Sequence, residues 1–170
     1  ELTERTPYAV VTNFVPSLSR SLTGPMTREE FSRAIDAFVP SSNYMYALRV
    51  TGRFAWASAR TVTKQDRPYR PMIEATDGEE IARHEDFSGT IAGFRTPLYE
   101  SGISVAGCHA HIVDDDRTWG GHLVDFVLEE GEAELCLGTD FHMRLPLTEE
   151  FRTADLSEDM TEEIRRVEHH

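Results

Sequence analysis

The stretch GCHAHIVDDDRTWGGHLVDF, residues 107–126, decides how this chain is read. Its first part lies in residues 104–113, a run whose character is that of a β-strand; DDDRTWGG (114–121) is polar and closes on two glycines; HLVDFVLEE then turns apolar again. Strand, polar turn and strand predict an antiparallel hairpin. Successive side chains of a strand alternate faces, so His109 and His111 point one way and Cys108 and Ala110 the other. A register that sets His111 opposite or diagonal to His122 brings their Cβ atoms to roughly 5–8 Å, within reach of one ion. Three neutral imidazoles with an open position suit catalytic zinc better than structural zinc, which favours a closed, cysteine-rich shell. On spacing alone the alternative stays open: two surface histidines and a hairpin histidine with no metal.

Working outward, YAVVTNFV (8–15) is β-branched and aromatic, stops at Pro16 and reads as a strand, and Pro25 marks a turn. Thr27 with Glu30 three positions on forms a capping box, and Phe31, Ile35 and Phe38 recur at helical spacing. These predict an amphipathic helix over 28–38, ended before Pro40. Further strands are predicted at 44–50, 53–62, 86–95, 104–113, 121–130 and 133–145, with turn signals at Thr51-Gly52, Ser101-Gly102, Gly120-Gly121 and Gly131. Residues 64–84 are polar and proline-rich and predict a long surface excursion. The expected organisation is one β-rich α+β domain over 1–147, its sheet mostly antiparallel or mixed, followed by an acidic tail (148–168) with short helical patterns. The chain opens at Glu1 without an initiator methionine, which suggests an upstream segment, and His169-His170 reads as the stump of an affinity tag.

Net charge and cysteine usage narrow the function. A formal charge of −13 would repel nucleic-acid phosphates and anionic lipid, so neither is an expected partner. No apolar run approaches the length of a membrane span. An acidic substrate would have to be caught by local cations, a metal or a placed arginine, rather than by the field of the whole protein. Two cysteines, Cys108 and Cys136, are too few for a disulfide framework or a cysteine-rich zinc site. Cys108, turned away from the histidines, is expected to be a small buried hydrophobe. His84 and His142 lack partners at ligand spacing and are expected to be solvated or packed.

Arg60 ends a stretch in which Phe54, Trp56, Ser58 and Arg60 fall on one face and Ala55, Ala57 and Ala59 on the other. An arginine continuing an aromatic face can enter a cleft and match a carboxylate with its planar fork, or simply end a strand in water. Arg95, in GFRTP, carries the same two readings.

Over Arg5 to Glu168 the chain resembles the α-acetolactate decarboxylases, through RTPYAVVTNFVP, YALRVTGRF, ARTVTKQDRPYRP, GTIAGFRTP and above all GCHAHIVDDDRTWGGHLVDF. The resemblance implies a fold of two related β-α-β4 motifs, of which this chain carries the second. It implies a zinc enzyme that converts 2-acetolactate, a 2-hydroxy-3-keto acid, to acetoin and carbon dioxide, with His109, His111 and His122 as zinc ligands. It also places Arg60 of ARTV in the active site and brings Glu168 back toward the metal. A further glutamate of the family lies in the first motif, absent here, and Cys108 stands where the family usually carries an aromatic. In the mechanism so implied, zinc chelates the hydroxyl and ketone oxygens and stabilises an enediolate, Arg60 orients the departing carboxylate, and Glu168, or Arg60 through water, delivers the proton. Two other functions compete with the lyase: a zinc hydrolase with metal-bound hydroxide, and a non-catalytic metal-binding module. The compartment, cytoplasmic or secreted, and a homodimer are left open.

Overall fold

The computed structural model describes residues 9–61 and 81–156. The elements run β1 (Leu18–Thr27), α1 (Arg28–Phe38), β2 (Met45–Arg60), β3 (Ile81–Thr96), β4 (Gly107–Asp114), β5 (Gly120–Gly138) and α2 (Glu149–Thr153). One strand, one helix and four strands therefore come in the order that the resemblance implies. The strands form a single sheet ordered β1-β5-β2-β3-β4, and every ladder is antiparallel. No helix among the described residues is long and apolar enough to cross a membrane.

α1 occupies the expected residues for the expected reason. The Glu30 N–H donates to Thr27 Oγ1 at 3.3 Å while the Thr27 N–H donates to Glu30 Oε2 at 2.9 Å, which closes the capping box. Phe31 and Ile35, one turn apart, are buried, and the Phe31 ring meets the edge of Phe126 at 5.3 Å between centroids. This seats the helix on one face of the sheet. Val50, Phe54, Leu128 and Leu135 lie wholly inside that core.

Several strand expectations are corrected. Residues 9–15 form no strand, although Phe14 keeps its ring 4.7 Å from the Arg49 guanidinium; the first strand is the less apolar stretch 18–27. Pairing with β5 decides this, since Leu18, Ser19 and Arg20 face Leu135, Glu134 and Ala133. Pro25 is no turn. It falls where the β1–β5 register shifts between Thr23 and Met26, a bulge that asks no hydrogen bond of the proline nitrogen.

The pairs of strands expected at 44–50 with 53–62, and at 121–130 with 133–145, are each one strand, because the glycines between them are not turns. Gly52 lies opposite Gly131 on one side and Gly89 on the other, so three glycines cross the sheet in a row. A Cβ on Gly52 would stand 2.3 Å from the Glu130 carbonyl oxygen and 2.9 Å from Gly131 Cα. Close approach of backbones, not chain reversal, requires glycine there. β5 ends at Gly138, so 139–145 lie outside it, and β4 begins at Gly107 rather than 104. The excursion expected over 64–84 falls outside the described residues up to 80, and its last residues open β3.

The sheet also closes on itself. The first residues of β5 pair with β4 through His111↔His122, Ile112↔Gly121 and Val113↔Gly120, while His122 faces Arg60 of β2 on its other side. β5 is squeezed there between two backbones: a Cβ on Gly120 would lie 2.4 Å from the Ile112 oxygen, and one on Gly121 2.5 Å from the Arg60 oxygen. Gly120 and Gly121, expected as the turn, are thus the opening residues of β5. Gly121→Ala is expected to destabilise the protein by about 1–3 kcal/mol through overpacking, measured by denaturant unfolding; an unchanged midpoint would show that the two backbones can part at no cost.

Candidate metal centre

The three histidines reach one point by strand pairing. His111 and His122 are direct partners across β4 and β5, and His109 sits two residues along β4 on the same face, while Ala110, Ile112 and Asp114 are buried on the other. One nitrogen from each ring lies within 4.8 Å of the others, and the ring centroids are 4.8–5.5 Å apart. The two Nε2 atoms of His109 and His111 are 3.4 Å apart. Two nitrogens each about 2.0–2.1 Å from one tetrahedral ion would be separated by about 3.4 Å. Two half-buried rings and one exposed ring of neutral donors fit a divalent ion that keeps a position for a further ligand.

Arg60 stands next in the same row, opposite His122 across β2 and β5. Its neighbours are not those expected. β2 buries Phe54 and then Ala57 and Ala59, so the alternation slips by one residue beside the register shifts at Phe54. Phe54 therefore enters the core, and only Trp56 and Ser58 continue the face of Arg60. Ala59 and Ala57, facing Leu123 and Phe126, mark the other side.

Arg95 belongs elsewhere. It forms an ion pair with Asp36 of α1 at 2.7 Å and lines a cleft of about 180 Å³ on the helix side, together with Arg28 and Cys108. Cys108 does turn away from the histidines, but it is exposed on that cleft rather than buried; it lies before the stretch 111–113 of β4 that β5 covers. His84 is packed, with its ring 4.6 Å from Phe87 and 5.2 Å from Trp119, and His142 is exposed. Glu168 lies outside the described residues; the described part of the tail holds α2.

Sequence reading passed over Asp114. Its buried carboxylate accepts from the Thr118 N–H (2.8 Å), the Thr118 hydroxyl (2.8 Å) and the Trp119 N–H (3.0 Å). These bonds, that of Trp119 first, hold its pKa below the ordinary carboxylate value against the opposing effect of burial. An aspartate followed four residues later by threonine in a polar turn was the available signal, since short acidic side chains bond the backbone just ahead of them.

A closed antiparallel sheet with three imidazoles placed to hold a metal ion defines a β-α-β4 protein with a candidate metal site, and comparison with known proteins narrows this. The family model described as Alpha-acetolactate decarboxylase matches residues 1–158. The chain is 38% identical over 166 residues to the Alpha-acetolactate decarboxylase of Bacillus subtilis, covering 97% of this chain and 65% of that one. With the protein of the same name from Methanosarcina mazei it shares 36% over 163 residues, covering 96% and 57%. The crystal structure of acetolactate decarboxylase from Bacillus subtilis subspecies spizizenii superposes with a TM-score of 0.88 at 39% identity, over 91% of this chain and 67% of that one. A Staphylococcus aureus protein described as of unknown function and similar to alpha-acetolactate decarboxylase superposes at 0.89 and 30% identity, over 93% and 68%. The chain belongs to the alpha-acetolactate decarboxylase family, and spans 57–65% of the length of those two curated relatives.

Replacing His109, His111 or His122 with alanine is expected to lower affinity for a divalent ion by at least tenfold, and His142→Ala to leave it unchanged, as read by competition with a chelator. Equal losses at all four would refute the assignment. Because imidazole binds a metal only when neutral, affinity should fall on acidification.

Proposed function

We propose that this chain carries the metal-binding half of an enzyme that decarboxylates 2-acetolactate to acetoin and carbon dioxide, with zinc on His109, His111 and His122. The observation that supports the reading is the row Arg60–His122–His111 across three strands, which brings Arg60 into register with two of the three converging histidines. Family membership supplies the reaction.

The reaction breaks the bond between the carboxylate and the carbinol carbon, and the electron pair left behind must spread onto the neighbouring ketone oxygen. A zinc ion held there would supply the positive charge that stabilises this oxygen. Arg60 has the form to hold the carboxylate in one orientation, its paired N–H donors matching the two oxygens. Strong pairing would oppose loss of the carboxylate as carbon dioxide, so the role suited to Arg60 is orientation. The carbon that receives the proton needs a donor on one face, and Glu168 of the tail is the candidate that the resemblance offers. Its carboxyl would give up the proton and be restored from water.

The test is the release of one carbon dioxide per 2-acetolactate by purified protein carrying this chain, lost on chelation and restored by zinc. Hydrolysis of esters or amides in place of carbon dioxide release would overturn the lyase reading. Arg60→Lys should lower kcat/KM at least tenfold while zinc content stays constant, since lysine keeps the charge and loses the fork; wild-type kinetics would remove Arg60. Glu168→Gln should slow turnover at least tenfold with zinc content nearly unchanged, and a fully active variant would take Glu168 out of the mechanism.

A further inference from the structure

We propose that Asp114 is a positioning residue for the metal centre: its carboxylate clasps Thr118 and Trp119 and so fixes the β4–β5 register that brings His122 to His111. This inference rests on the metal-binding reading above and deepens it. The pairs His111↔His122, Ile112↔Gly121 and Val113↔Gly120 follow one register, and the next rung in that register is Asp114 with Trp119. That rung is made from both sides. The Asp114 N–H donates to the Trp119 carbonyl at 3.0 Å, and the Trp119 N–H donates to Asp114 Oδ1 at 3.0 Å. Oδ1 also accepts from the Thr118 N–H and Oδ2 from the Thr118 hydroxyl, both at 2.8 Å, so one buried side chain holds both residues that lead into Gly120-Gly121-His122.

The ladder needs such a pin. Only three residue pairs join β4 to β5, two of them through glycines that have no side chain with which to resist sliding. A slip of one residue reverses the face of every side chain beyond it, which would turn His122 away from His109 and His111. The core side of the hairpin adds a second restraint, because the Trp119 ring packs at 5.2 Å from His84 and 5.5 Å from Phe87 of β3. The clasp sits on the buried face and the imidazoles on the other, so the carboxylate acts on the centre through register and touches none of the ligands.

Zinc affinity by chelator competition, read beside the melting temperature of the metal-free protein, separates positioning from general stability. Asp114→Ala should weaken zinc binding 10–100-fold, the range found when groups that orient ligands are removed. Asp114→Asn should stay within a few-fold of wild type, because its carbonyl still accepts the two backbone N–H groups and its amide donates to the Thr118 hydroxyl. Thr118→Val, the milder change should Asp114→Ala fail to fold, should cost several-fold. The control is Thr27→Ala, which removes the α1 cap and lowers the melting temperature but should leave zinc affinity unchanged. Wild-type affinity in Asp114→Ala or in Thr118→Val would overturn the inference, as would a loss in Thr27→Ala equal to that in Asp114→Ala. Wild-type protein that binds no zinc would overturn the metal reading itself, and this inference with it.

Discussion

The start of β5 is paired with β4 through Gly120, Gly121 and His122, and His122 is at the same time paired with β2, and that double pairing governs the rest of the structure. It draws two backbones so close that Gly120 and Gly121 leave no room for a Cβ. It also makes His122 the only described residue that is a direct partner both of a histidine of β4 and of an arginine of β2. Closure of the sheet and assembly of the candidate centre are one event: a chain that failed to close there would keep most of its core and lose the convergence of the imidazoles.

The two faces of the sheet divide the work. The helix-covered face takes Phe31, Phe54, Phe126 and the aliphatic side chains that exclude water, and burial of this kind is the main source of stability. The opposite face carries His109, His111, His122 and Arg60, none of which is fully buried. In a chain of net charge −13, positive charge for an acidic substrate has to be local. A divalent ion beside Arg60 would provide it on that face, whereas Arg95, committed to Asp36, lies on the other.

Much of this was legible in the sequence, and the reasons differ from element to element. α1 could be read to the residue because its signals are local: Thr27, Glu30 and the spacing of Phe31 and Ile35 all lie within its own first turns. The histidine cluster was legible because alternation along β4 and a short polar connection leave few registers. The strand ends were not. Glycine marks a turn and a close crossing of backbones with the same letter, so Gly52, Gly121 and Gly131 were read as reversals, and only the partner strands tell the two apart. β1 was misplaced because pairing with β5 outweighs intrinsic preference, and the face of Phe54 because the register shifts beside it, one of which leaves Ala55 of β2 as an extra residue against β5, are set by the pairing and not by the composition of β2. The pairing of Arg60 with His122 likewise depends on a register shift between Ser58 and Ala59.

The central claim is that His109, His111 and His122 together hold one divalent metal ion. X-ray absorption at the zinc edge on protein loaded with one equivalent tests it most directly. The account predicts three imidazole nitrogens at about 2.0–2.1 Å with one further light-atom ligand and the multiple-scattering pattern of histidine. A spectrum dominated by sulfur at about 2.3 Å, by carboxylate oxygens without imidazole, or by hydrated zinc would contradict it.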